Sequence, residues 1–340
     1  MRNTKVSVIV PIYNASSNDR LLNLLRCLKK QTLQSIEFIL VFDCPTDDSY
    51  EVAIQEVGYD QRFVFIENDI NKHIGFSRNR GIDVSKGEFV AFADDDDLIS
   101  PVMYENLYSI AQEKSADIVV SPAIFRNQGK ESIEYFDKDV EDFQKYFVNR
   151  FSGCISDKEM VEDPYPYLWG NGNMWNKIFR RSLIVNNNIR FVDTRYCCYE
   201  DGLFQLELFC HTNKIVCDVT PYYTHILYND KTNTSFSDIF NNDYHRCRSI
   251  SYLVELFYKY PKLISKQRIE KRVLDFLISF SPLRVSKYGE RLRCFNPSHL
   301  YHVVSWCPSF LNGYIFKSKI YYQIYILVLK LYLLRHIREW

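Results

Sequence analysis

Apolar positions follow two alternating rhythms up to about residue 120. Continuous apolar runs at 6–12, 36–42, 63–67, 88–93 and 117–121 read as strands buried on both faces. Between them, Leu21, Leu24, Leu25 and Leu28 recur at helical spacing within 20–31, and 48–57, 75–85 and 103–114 also read as helices. This alternation predicts βαβ units and an α/β fold with a doubly wound, mostly parallel sheet. Pro11 near the end of the first run fits a strand that has stopped pairing there.

Further on the rhythm weakens. Residues 126–166 are polar, acidic and aromatic without a clear period, which suggests a long insertion with one helix near 139–149. Residues 169–185 read as a strand or turn followed by a short helix. Runs at 189–192 and 216–223 look like strands around a helix over 201–211. After about residue 237 the patterns at 243–260, 263–280 and 314–338 are amphipathic and helical. The expected organisation is an α/β domain over 1–236 and a helical region over 237–340.

Composition narrows the function classes. Lys and Arg together number 42 and so do Asp and Glu, a zero net charge that gives no reason to expect a nucleic-acid partner. The ten cysteines include no CxxC pair, so reduced thiols in a cytoplasmic protein are expected rather than a disulfide framework. The first apolar run is too short for a signal peptide, and no run is long enough to span a membrane. Segment 314–338 sets large apolar residues among Lys317, Lys319, Lys330, Arg335 and Arg338. Such a basic amphipathic helix suits the inner face of a membrane, and it equally suits packing on its own domain or on a homodimer mate.

The strongest chemical signal is GEFVAFADDDDLISP, residues 87–101, in which an apolar run delivers Asp94, Asp95, Asp96 and Asp97. Clustered carboxylates raise one another's pKa unless a cation neutralises them, and hard oxygen ligands suit Mg²⁺ or Mn²⁺. In open α/β sheets ligands bind at the carboxyl ends of the strands. A solvated acidic turn is the other reading of the run.

Four further stretches surround this one in a fixed order: PIYN at 11–14, VFDCPTDDS at 41–49, NKHIGFSRNRG at 71–81, and WNKIF at 175–179 with YED at 199–201. Together they resemble the family 2 glycosyltransferases of the GT-A fold, of the kind that builds bacterial surface polysaccharides. The resemblance runs over about residues 5–235. It departs at the second-strand turn, where Phe42 stands in place of an expected acid, and at Ser77, where a smaller Ala is usual before the arginine.

The resemblance implies an inverting, metal-dependent transfer from a nucleotide sugar, UDP-linked in most such enzymes, to a hydroxyl of a saccharide or lipid-linked acceptor. It points to Asp96 as first metal ligand and Asp94 as second, with His225 as a third metal ligand or a basic residue to the diphosphate, or else a plain packed or surface residue. Asp95 leaves the assignment among the four acids ambiguous by one, and Asp97 would cap the following turn. Pro11, Tyr13, Asn14, Asp43, Arg78 and Asn79 would line the nucleotide, with Tyr13 stacked on the base or packed beneath its loop. Arg78 either approaches the diphosphate or pairs with a carboxylate. Asp201 is the expected general base and Glu200 its alternate, both held ionised by the start of a helix. Trp169, Trp175, Asn176 and Lys177 would frame the acceptor side. A nucleotidyltransferase would want a Gly- and Lys-bearing loop after the first strand, which PIYNASSND lacks. An inactive nucleotide-binding scaffold would have no need of Asp94, Asp96 and Asp201.

Overall fold

A computed structural model describes residues 4–134, 173–195, 197, 200–228 and isolated positions from 252 to 260. The chain divides into two compact units, one of residues 1–146, 159–195 and 199–234, the other of 147–158, 196–198 and 235–340. All the strands and helices named below belong to the first unit. The helices expected over 139–149, 263–280 and 314–338, and most of that over 243–260, lie outside the described residues. Among the described residues, no helix is long and apolar enough to cross a membrane.

The unit is built on a seven-stranded sheet. Its strands are β1 (Val6–Ile12), β2 (Ile36–Phe42), β3 (Phe63–Glu67), β4 (Phe89–Phe92), β6 (Ile118–Val120), β9 (Lys177–Arg180) and β10 (Ile215–Cys217). They lie side by side in the order β10-β6-β9-β4-β1-β2-β3. All neighbours pair in parallel except β9, which runs antiparallel to both β4 and β6. Helices α1 (Arg20–Lys29), α2 (Ser49–Val57), α3 (His73–Val84) and α4 (Met103–Lys114) alternate with the strands, and α5 (Arg181–Asn186) and α6 (Glu200–Phe209) follow later in the chain. Every residue of β1 and β2 is buried, as unbroken apolar runs require when both faces are covered.

The strand order reverses between β1 and β4, because the chain steps outward through β2 and β3 and then returns to the other side of β1. The loops after β1 and β4 therefore open into one crevice, where a doubly wound sheet binds its ligand. A second sheet is formed by β5 (Leu98–Ile99), β7 (Ala123–Asn127), β8 (Lys130–Glu134) and β11 (Tyr223–Leu227), in the order β5-β11-β7-β8. Since β5 directly follows the four aspartates, the acidic run lies between the two sheets.

Four expectations are corrected. Pro11 does not end the pairing: it lies inside β1 in register with Val41 of β2, whereas pairing with β4 runs only from Val6 to Ile9. Residues 126–134, expected in an aperiodic insertion, include the antiparallel β7–β8 pair. Residues 216–223 are not one strand but the ends of two, β10 and β11, which join different sheets. Residues 189–192 are largely buried yet form no strand. The Asn79 side chain replaces the ladder there, donating to the Phe191 carbonyl and accepting from its N–H, both at 2.9 Å.

Two glycines of α3 permit close approach. A Cβ on Gly75 would lie 2.5 Å from the Val192 carbonyl oxygen, and one on Gly81 2.4 Å from Ile9 Cγ2 in the central strand. Gly81→Ala is expected to cost about 1–3 kcal/mol by overpacking. Gly202→Ala, in α6 with nothing within 4 Å of the added atom, should instead gain about 0.5–1 kcal/mol through backbone entropy. Urea unfolding of both variants checks the contrast.

Candidate active site

Five loop segments converge at the crevice. After β1, the exposed Tyr13 donates its backbone N–H to Asp95 Oδ2 at 3.2 Å. Asn14, at φ 52°, accepts the Thr46 N–H through Oδ1 at 2.7 Å, which ties the first loop to the acidic turn after β2. Asp47 strengthens that tie by accepting from both N–H and hydroxyl of Ser16 and of Ser49. Asp43 is buried and accepts from Asn68 Nδ2 at 2.6 Å and the Lys72 N–H at 2.9 Å, so its carboxylate braces the loops after β2 and β3.

The acidic run meets β11. The Asp94 N–H donates to the Tyr223 hydroxyl at 3.0 Å. Asp97, fully buried, accepts from the Ile226 N–H at 2.9 Å and lies 3.0 Å from His225 Nδ1. It therefore reaches across to β11 rather than capping the turn that follows it. Ligand atoms of Asp94, Asp97 and His225 lie within 4.8 Å of one another. Two carboxylates and an imidazole fit a divalent cation such as Mn²⁺ or Mg²⁺. The expected ligand Asp96 is outside this group and Asp97 is inside it.

The unmet negative charge shows in the carboxyl groups. Burial, with Asp97 and Asp94 nearby, pushes Asp96 up to about 7 against the pull of His225 and Arg20. Burial and neighbouring Asp96 push Asp95 well above the usual carboxylate range. Burial alone would lower His225, but Asp97 and the other acids hold it above its ordinary value. Arg20 also lies over the Tyr228 ring, 3.7 Å from its centroid, and the Tyr228 hydroxyl donates to the Asp96 carbonyl at 3.1 Å.

On the opposite wall α6 begins with Glu200 and Asp201. Arg78 Nη1 donates to Asp201 Oδ1 and lies 3.5 Å from Glu200 Oε1, while its Nη2 lies 3.4 Å from Asp94 Oδ1. Burial raises both Glu200 and Asp201, the latter to about 8, with Arg78 opposing the shift in each. The helix start does not hold these acids ionised in the ordinary range, because desolvation outweighs its dipole. Asp201 nonetheless keeps 27% of its side-chain surface exposed, an opening through which a hydroxyl can reach it.

Several expected ligands are committed elsewhere. Pro11 is buried in β1. The Asn79 amide is spent on the Phe191 backbone. Trp175 is buried and stacked on Tyr223 and His225, with centroids at 4.4 and 5.3 Å. Asn176, fully buried, donates to the Ser121 carbonyl at 2.7 Å, and the buried Lys177 donates to Asn176 Oδ1 at 2.9 Å and to the Asn173 carbonyl. These three residues support the site from behind and do not form an open acceptor wall. Trp169 lies outside the described residues. Sequence reasoning passed over Arg20, Tyr223 and Tyr228, although the two tyrosines flank His225, because their contacts with the acids arise only through the fold.

Residues 7–167 match the family model described as Glycosyl transferase family 2. Over those residues the chain is similar to the family 2 glycosyltransferases. Its mixed sheet with flanking helices is a GT-A fold, shared with solved structures. The crystal structure of S. aureus TarS 1-349 in complex with UDP-GlcNAc superposes with a TM-score of 0.59 at 19% identity, covering 98% of this chain and 90% of that one. An uncharacterized glycosyltransferase of Escherichia coli, YibD, is 31% identical over 192 residues, 55% of this chain and 52% of that protein. The chain thus spans about half the length of YibD. The poly(ribitol-phosphate) beta-N-acetylglucosaminyltransferase TarP of Staphylococcus aureus is 26% identical over 315 residues, 90% of this chain and 87% of TarP.

The stacked position of Trp175 yields a test. Trp175→Ala is expected to cost about 3–5 kcal/mol of stability, as for other buried Trp truncations. An acceptor-facing Trp would leave the urea midpoint near that of wild type.

Proposed function

We propose that this chain transfers a sugar from a UDP-sugar to a hydroxyl of a saccharide or lipid-linked acceptor, with inversion, in the synthesis of a surface polysaccharide. One observation carries the reading: a half-buried acidic base at the start of α6 faces, across Arg78, a carboxylate–imidazole cluster at the switch point of the sheet. A relative named as a poly(ribitol-phosphate) beta-N-acetylglucosaminyltransferase and a solved TarS structure holding UDP-GlcNAc support the same class.

The chemistry follows from the residues. An acceptor hydroxyl is a poor nucleophile until a positioned base takes its proton. Asp201, with a raised pKa and an exposed edge, is suited to accept that proton near neutral pH. The acceptor oxygen bonds to the anomeric carbon as the bond from that carbon to the diphosphate oxygen breaks, and its electron pair leaves with UDP. Attack from the face opposite the diphosphate inverts the anomeric centre. Glu200 stays beside Arg78 as a secondary acid. Asp94, Asp97 and His225, with Asp96 adjacent, would hold a divalent cation, which when bound offsets the charge of the diphosphate. The exposed ring of Tyr13 offers a face to the base, and Asn14 fixes the loop that presents it. The basic segment 314–338 would bring the enzyme to the inner face of the membrane where a lipid-linked acceptor is met.

Calorimetric titration of UDP with and without Mn²⁺ tests the reading. Wild type is expected to bind UDP tightly only with the metal, and Asp94→Asn to abolish that dependence. Asp201→Asn should keep UDP affinity yet lower turnover, followed as UDP release, by about 10²–10⁴-fold. Absence of nucleotide binding under every condition would remove the transferase reading.

A further inference from the structure

Arg78 is almost fully enclosed, and the acids around it already occupy its terminal nitrogens. Its side chain is 3% exposed, walled by the rings of Phe191 and Phe92 at 5.3 and 6.0 Å from the guanidinium carbon. Among the described residues its Nε has no hydrogen-bond partner, and its two terminal nitrogens face Asp201, Glu200 and Asp94. Asp94 and Asp201 lie on separate elements, the end of β4 and the first turn of α6, and one planar fork touches both. A guanidinium fixes two carboxylates in a common geometry, which a lysine ammonium, as a point charge, cannot do.

We propose that Arg78 is a positioning residue that fastens the base Asp201 to the metal-site acid Asp94, and that it does not ligate the diphosphate. This rests on Asp201 being the base of the proposed transfer. The consequence is a division of labour. Donor affinity resides in the acidic run and the first loop, whereas the direction in which Asp201 meets the acceptor hydroxyl depends on Arg78. Two rigid elements brought together by a single buried cation also share its loss, because removing the fork leaves like charges facing one another without their partner.

The experiment uses Arg78→Lys, which keeps the charge and loses the fork, with Arg78→Met as a second variant. UDP affinity in Mn²⁺ is measured by calorimetry, and thermal stability with and without Asp201→Asn. Arg78→Lys should bind UDP within about threefold of wild type, whereas loss of a direct charged hydrogen bond to the diphosphate would weaken it by about tenfold or more. Its Tm should fall, and adding Asp201→Asn should restore part of the loss, a non-additive pair. In UDP release, kcat should drop by about 10²-fold with the donor KM unchanged. A tenfold loss of UDP affinity, or strict additivity of the two substitutions in Tm, overturns the proposal. If wild type binds no nucleotide, the transferase reading falls, and the thermal cycle still decides whether Arg78 joins the two acids.

Discussion

The site depends on the cost of gathering carboxylates. Asp94, Asp95, Asp96 and Asp97 at the end of β4, with Glu200 and Asp201 at the start of α6, bring six acids to one crevice, all of them half-buried or deeper. Taking such charges out of water is expensive, and mutual repulsion adds to it. Arg78 meets three of them and His225 meets Asp97, which accounts for part of the charge and leaves the shifted Asp95 and Asp96 as the remainder. A rigid frame is required to hold acids so placed against their mutual repulsion.

The frame is supplied by strands with little freedom. The central strands β1, β2 and β4 are buried throughout, and β4 is held by β1 on one side and antiparallel β9 on the other. Behind the acids, Trp175 joins the large sheet to the small one through its stack on Tyr223 and His225. Apolar packing thus sets the position of the imidazole, and the Tyr223 hydroxyl sets the backbone of Asp94. Side chains that never meet a ligand decide where the ligand groups stand.

What the sequence disclosed follows the range of the forces involved. Strands β1, β2 and β3 and helix α4 have the bounds their apolar periodicity predicts, because local pattern and tertiary burial agree there. The pair β7–β8 was illegible, since its strands are short and largely half-exposed or exposed and carry no unbroken apolar run. Residues 189–192 looked like a strand because they are largely buried and mostly apolar, and only the distant Asn79 satisfies the Phe191 backbone without a neighbouring strand. Within the site, the acidic run and the Glu200–Asp201 pair were visible as local motifs. The choice of Asp97 over Asp96 beside His225 was not, since it turns on which carboxylate points toward β11 once two sheets have formed. Trp175, Asn176 and Lys177 misled for a similar reason: polar and aromatic residues near a motif look like ligands until their partners are known.

Between β10 and β11 there are only the residues 218–222, yet the two strands belong to different sheets. Asp218 donates its N–H to the Val120 carbonyl, and its carboxylate accepts from the Tyr222 hydroxyl, which in turn accepts from Asn106. This short bridge acts as a ruler. Side chains on a strand alternate faces, so adding or removing one residue before Tyr223 would turn His225 away from Asp97 and bring a neighbour in its place. Length itself is therefore under constraint at this connection, where an insertion of a single residue would part His225 from Asp97 and Asp94.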